Sequence, residues 1–213
     1  MARKSKAVLE FARPIPPESL FEPMAPHQFI PAPEVKVWSF EQFVLEGGDL
    51  HNPDHAHLQF AEVVFLWAAN GFNKQGRAVL GQCEDVTFRC GPWQKGRQEQ
   101  QMRDWFDLVP DFLITLDASY CAQCSDLEFC ALVEHELYHI GQTLDDTGQP
   151  AFSKDGQPKL SMRAHDVEEF IGVVRRYGPS KDVAKMIDAA KTSPEVATTN
   201  IARACGTCLL RAA

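Results

Sequence analysis

The chain has 213 residues, a formal net charge of −8 and 45 % hydrophobic residues. That is enough for one domain with a full core, and the acidic balance argues against a general nucleic-acid binder, which would carry a basic face. No apolar run approaches membrane-spanning length, and the basic start MARKSKAVLEFARPIPP is too short and broken in its apolar part for a signal peptide. A cytoplasmic protein is therefore expected, in which the seven cysteines are thiols or metal ligands.

In chain order, residues 1–36 hold half of the fourteen prolines, separated by Phe21, Met24, Phe29 and Ile30. This spacing forbids helix and predicts an extended or disordered arm, with a domain over 37–213. Residues 38–46 read as a short helix capped by Ser39 and stopped at Gly47-Gly48. Residues 54–70 read as a long helix, with Phe60, Val63, Val64 and Trp67 at helical spacing. His51, His55 and His57 stand at its entrance, where solvated histidines are the plain expectation and a second metal site the sharper one. Residues 78–90 have β-rich composition, residues 97–108 are polar and helical, and residues 111–117, DFLITLD, form an apolar strand.

The stretch 125–141, SDLEFCALVEHELYHIG, organises the rest. Ser125 and Glu128 make a capping box, and Gly141 supplies a stop. His135, Glu136 and His139 form H-E-x-x-H. At about 100° per residue the two histidines lie one turn apart on one face and can reach one zinc ion. Glu136 falls at the rim, placed to touch a metal-bound water. Phe129, Cys130, Val133, Leu137 and Ile140 fill the opposite side, so this helix should be buried against a sheet. Beyond it, Asp155-Gly156 predicts a hairpin with Phe152 and Leu160 on its paired strands. Asp166 and Glu169 box a helix that ends at Gly178-Pro179, and Ser180 caps another over 181–191.

Catalytic zinc normally has three protein ligands and a water. His165 is the favoured third ligand, with Asp166 or Glu169 orienting it from behind; Glu169 is the rival ligand. Cys121-x-x-Cys124 and Cys205-x-x-Cys208 have the spacing of a structural four-cysteine zinc site. Buried free thiols are the simpler and preferred assignment for them.

The blocks V-E-H-E-L-Y-H-I-G and R-A-H-D-V-E-E-F, with V-V-R-R-Y-G, resemble the putative phage metallopeptidase family, a phage- and prophage-encoded set regarded as zincin-like. The resemblance spans roughly residues 58–178, and it departs at Glu134, where an aspartate is expected. It implies an α+β zincin-like domain with a small sheet and a buried H-E-x-x-H helix. It further implies His135 and His139 as zinc ligands, Glu136 as the catalytic acid/base, and His165 with its acidic neighbours as the rest of the site.

The activity expected is hydrolysis of peptide bonds in a protein or peptide substrate by a zinc-activated water, with Glu136 as general base. Tyr138 and Arg163 are candidate oxyanion donors. The alternatives are a peptidase-like module whose zinc serves structure or regulation, and a zinc hydrolase acting on a non-peptide amide. The intact Glu136 favours the peptidase, since a purely structural site has no use for that carboxylate.

Overall fold

The computed structural model describes residues 13–22, 28–74, 77–167, 171–197 and 199. A 3₁₀ turn, Glu18–Phe21, buries Leu20. Strand β1 (Phe29–Pro31) follows, then helix α1 (Pro33–Ser39), which runs on into a π-helical turn at Phe40–Val44. The helix starts at Pro33, whose fixed φ suits the first helical position. Ser39 is not its cap: it is buried mid-helix, where its hydroxyl donates to the Lys36 carbonyl at 3.0 Å. Residues 29–36, assigned from sequence to the arm, thus belong to the folded sheet and core.

The long helix expected over 54–70 does not form. Pro53–Phe60 is a 3₁₀ helix, and Val63–Ala68 is a fully buried strand, β2. A continuous apolar run of this kind carries no period that separates a central strand from a buried helix. What decides is pairing: β2 lies parallel to β6 (Phe112–Asp117) on one side and antiparallel to β1 on the other. Between β2 and β6 in the chain come the hairpin β3 (Phe72–Lys74) and β4 (Arg77–Val79), then β5 (Gly81–Asp85) and helix α2 (Pro92–Phe106). The β-rich stretch 78–90 supplies part of β4 and all of β5, which pair with β3 and β6 and not with each other, while 86–90 are not strand. Helix α2 begins five residues before the predicted helical stretch, at a proline.

The main sheet has the order β1-β2-β6-β5, with β5 antiparallel to β6 and forming one margin. Side chains alternate across it, as a pleated strand requires. Val63, Phe65, Trp67, Ile114 and Leu116 enter the large core; Val64, Leu66 and Leu113 face the other way, toward Trp105 and Phe106 of α2.

After β6 come the short α3 (Ala118–Cys121) and then α4 (Asp126–Tyr138). The Ser125–Glu128 capping box is present in both directions, and the buried face of α4 (Phe129, Cys130, Leu132, Val133, Leu137) packs on the large core. Strand β7 (Ile140–Gln142) leaves the helix and pairs antiparallel with β8 (Leu160–Met162). Leu160 pairs with Gln142, whereas Phe152 bridges Pro158 across the Asp155-Gly156 turn, with Gly156 at φ 76°. The turn is where the dipeptide puts it, and Phe152 and Leu160, expected on its two paired strands, find their partners in Pro158 and in β7. Helices α5 (Ile171–Tyr177) and α6 (Lys181–Lys191) close the described chain, Ser180 capping the second through Val183 N–H. The mixture of helices with small, mainly antiparallel sheets is α+β. No helix among the described residues is long and apolar enough to cross a membrane.

Candidate metal centre

His135 sits in the last turn of α4 and His139 caps the helix, while His165 follows β8. The β7–β8 pairing folds the chain back over the end of α4, and the Arg163 N–H bonds the His139 carbonyl at 2.7 Å. That return brings His165 to the helix. One ring nitrogen from each of His135, His139 and His165 lies within 4.8 Å of the others, and the Nε2 atoms of His135 and His165 are 3.1 Å apart. Nitrogens that share one tetrahedral zinc at bonds of about 2.0–2.1 Å stand about 3.3 Å apart, so the group is of the right size.

Ring orientation fits as well. His139 Nδ1 lies 2.8 Å from the Arg163 carbonyl, the partner that fixes a metal-binding imidazole with its Nε2 turned to the ion. Burial, with the neighbouring His139 and His165, pushes the His135 pKa down to about 4. At neutral pH it therefore keeps the uncharged form that ligates metal.

Glu136 is fully buried on the same helix. Its side chain lies against Gly81 of β5, where a Cβ would stand 2.8 Å from Glu136 Oε1 and 3.0 Å from Leu132 Cδ1. Only glycine leaves this space, so β5 can pass closely over the metal helix. The contact is non-local, and nothing in the sequence near Gly81 announces it.

The three histidines open into a cleft of about 560 Å³, also lined by Asp54, Tyr138, Arg163, Ala164, Asp166, Val167 and Met186. Tyr138 Oη accepts from Asn52 Nδ2 at 2.8 Å and donates to Asp54 at 3.3 Å. Asn52 also donates to Glu134 Oε1 at 2.9 Å. Both expected oxyanion donors therefore face the cleft already engaged, for Arg163 binds Asp166 at 2.6 Å and lies over the Tyr138 ring. Asp166 pairs with Arg163 through Oδ1. Glu169, the rival ligand, lies outside the described residues.

The other histidines part company. His55 is buried edge-on to the Tyr138 ring, with Nε2 3.5 Å from Glu134 Oε1. His57 Nε2 meets the Ile140 carbonyl at 2.7 Å, and His51 is exposed. His55 is thus a packed residue, against the expectation of a solvated one. Asn52 was missed from sequence, although Asn-Pro before a helical segment is a capping signal.

Cys121 and Cys124 lie together in the turn before α4, Cys121 buried and Cys124 partly so. Cys205 and Cys208 lie outside the described residues.

No curated protein and no solved structure matches the chain. The model of the family described as "Putative phage metallopeptidase" matches residues 36–191, well over half of the sequence and all of the histidine cluster. The chain belongs to that phage metallopeptidase family.

Proposed function

We propose that this protein is a zinc-dependent peptidase with a zincin-like catalytic domain, its zinc held by His135, His139 and His165. The observation that carries the reading is the convergence of those three imidazoles within 4.8 Å beside a fully buried Glu136, from one helix end and the segment that follows β8. A structural site would need the histidines alone. A zinc ion there would supply a bound water of lowered pKa and polarise the scissile carbonyl.

The remaining work falls to the chain itself. Glu136 takes a proton at its carboxylate and delivers it to the leaving amine, and its burial beside Gly81 fixes where the carboxylate points. Arg163 orients His139 through its carbonyl. Tyr138, held by Asn52 and Asp54, faces the same cleft and is placed to donate to a developing oxyanion once its hydroxyl turns from Asp54. Strand β5, at the margin of the sheet and against Glu136, is the natural bed for an extended peptide that adds to the sheet.

The test is metal content together with cleavage of a mixed peptide library, for wild type and Glu136→Gln. Wild type should hold one zinc per chain and cut in a chelator-sensitive way. Glu136→Gln should keep the zinc and lose about 10²–10⁴-fold in rate. Equal cleavage by the two proteins, or wild type purified without metal under non-chelating conditions, overturns the reading.

A further inference from the structure

The metal helix begins at a second reactive group. Backbone bonding runs on past α3, with Ala122 N–H to Ala118 O at 2.9 Å and Cys124 N–H to Tyr120 O at 2.9 Å. Cys121 and Cys124 are therefore three residues apart on one helical turn, which sets their Cα atoms about 5 Å apart. A disulfide needs roughly 4.4–6.8 Å, so this turn can close a bridge without unfolding.

The two thiols differ in a way that suits exchange. Cys121 is fully buried, while Cys124 keeps access to solvent. A hydrogen bond from the Cys121 thiol, then the Arg13 guanidinium, hold the Cys124 thiol below its ordinary range, and the same bond with burial pushes Cys121 up. Arg13 is nearly buried and reads the turn directly. It donates to the Cys121 carbonyl at 2.8 Å, to the Cys124 carbonyl at 2.7 Å and to Asp126 Oδ1 at 2.9 Å, with its guanidinium over the Phe129 ring. Cys130, one turn into α4, offers the contrast: burial raises its thiol to about 12, and it should stay inert.

We infer that Cys121 and Cys124 form a reversible thiol–disulfide couple with low-molecular-weight disulfides, Cys124 attacking and Cys121 resolving. The Cys124 thiolate attacks one sulfur of the small disulfide, whose S–S bond breaks and releases a thiolate. Cys121 then gives up its proton to solvent and attacks Cys124 Sγ, expelling the second small thiolate. The balance is two protein thiols and one small disulfide converted to one protein disulfide and two small thiols. The bridge closes between the two carbonyls that Arg13 binds and immediately before Ser125, the cap of the metal helix. The redox state of the turn is thereby felt at the N-terminal segment and at the entrance of α4. Neither the metal nor peptide hydrolysis is needed for this chemistry.

The test equilibrates reduced full-length protein in glutathione mixtures of rising disulfide fraction, quenches with an alkylating reagent and maps peptides by mass spectrometry. In wild type, Cys121 and Cys124 should lose alkylation together and appear in one internally bridged peptide. Dithiothreitol should restore both. In Cys121→Ser, glutathione should remain on Cys124 as a mixed disulfide. The wild-type map stands alone if that variant does not fold. The inference is overturned if both thiols stay alkylatable throughout, or if either one bridges to a different cysteine. It is equally overturned if the pair reacts only after a chelator strips zinc, which would make it a metal site with Cys205 and Cys208.

Discussion

His51, His55 and His57 are close in sequence and take three different surroundings: solvent, the Tyr138 ring and the Ile140 carbonyl. His135 and His139 stand one turn apart and His165 comes only after β8, yet their ring nitrogens converge. The 3₁₀ geometry of Pro53–Phe60 explains part of the first outcome. At three residues per turn, His55 and His57 point to different sides, one into the core and one to the end of α4. In α4, by contrast, the spacing of four returns His139 to the face of His135, and the β7–β8 pair delivers the third ring. Density of histidines along a sequence is thus a poor guide to a metal site, whereas their phase on an element is a good one. The first group still serves the second: His55 packs against Tyr138 and His57 ties down Ile140, on either side of His139.

This contrast can be broken most sharply by alanine at one member of each group. His165→Ala should leave the protein without stoichiometric zinc after dialysis, because two imidazoles hold the ion weakly. His57→Ala should keep zinc and cost only about 1 kcal/mol for its lost hydrogen bond. Metal analysis beside thermal unfolding separates the two. Zinc retained by His165→Ala would move the third ligand elsewhere.

His55→Ala should show the opposite pattern, with zinc retained and stability lowered by about 2–4 kcal/mol, as for removal of a buried ring. Denaturant unfolding of the metal-free proteins measures it without interference from zinc. A change within about 0.5 kcal/mol would mean that His55 is not the packed strut described above.

Gly81→Ala sharpens the comparison from the side of Glu136. The added methyl meets Glu136 Oε1 and Leu132, so the carboxylate must shift. We expect zinc content unchanged, stability down by about 1–3 kcal/mol and peptide cleavage reduced more than that loss explains. Activity equal to wild type would remove the close approach of β5 from the account.

The smallest effect is on pH. The folded His135 pKa of about 4 lies below its ordinary 6.5, so between these values the unfolded chain binds the extra proton. Stability of the metal-free protein should then rise with pH through that window and fall on acidification toward 4. Unfolding midpoints at several pH values for wild type and His135→Gln test this, the variant losing part of the slope.

Some of the fold was legible because its causes are local. The Ser125–Glu128 box, the phase of His135 and His139 and the apolar face from Phe129 to Leu137 are all set within a few turns of one helix, and α4 forms as its residues dictate. The Asp155-Gly156 turn and the Ser180 cap are of the same kind. Strand β2 was not legible, because VVFLWA satisfies a buried helix and a central strand alike until β1 and β6 flank it. Nor was β1: Phe29–Pro31 looks like proline-rich arm, and only pairing with Leu66–Ala68 makes it a strand.

The sequence by itself determined the helix that carries two of the histidines, the identity of Glu136 beside them and the family to which the chain belongs. Tertiary structure alone decided that His165 meets those two, that Arg163 turns its carbonyl to His139 and that Gly81 makes room over Glu136. The physical reason is range. Caps and helical phase are fixed by interactions three or four residues apart, while the centre is assembled by strand pairing between segments whose meeting no local pattern encodes.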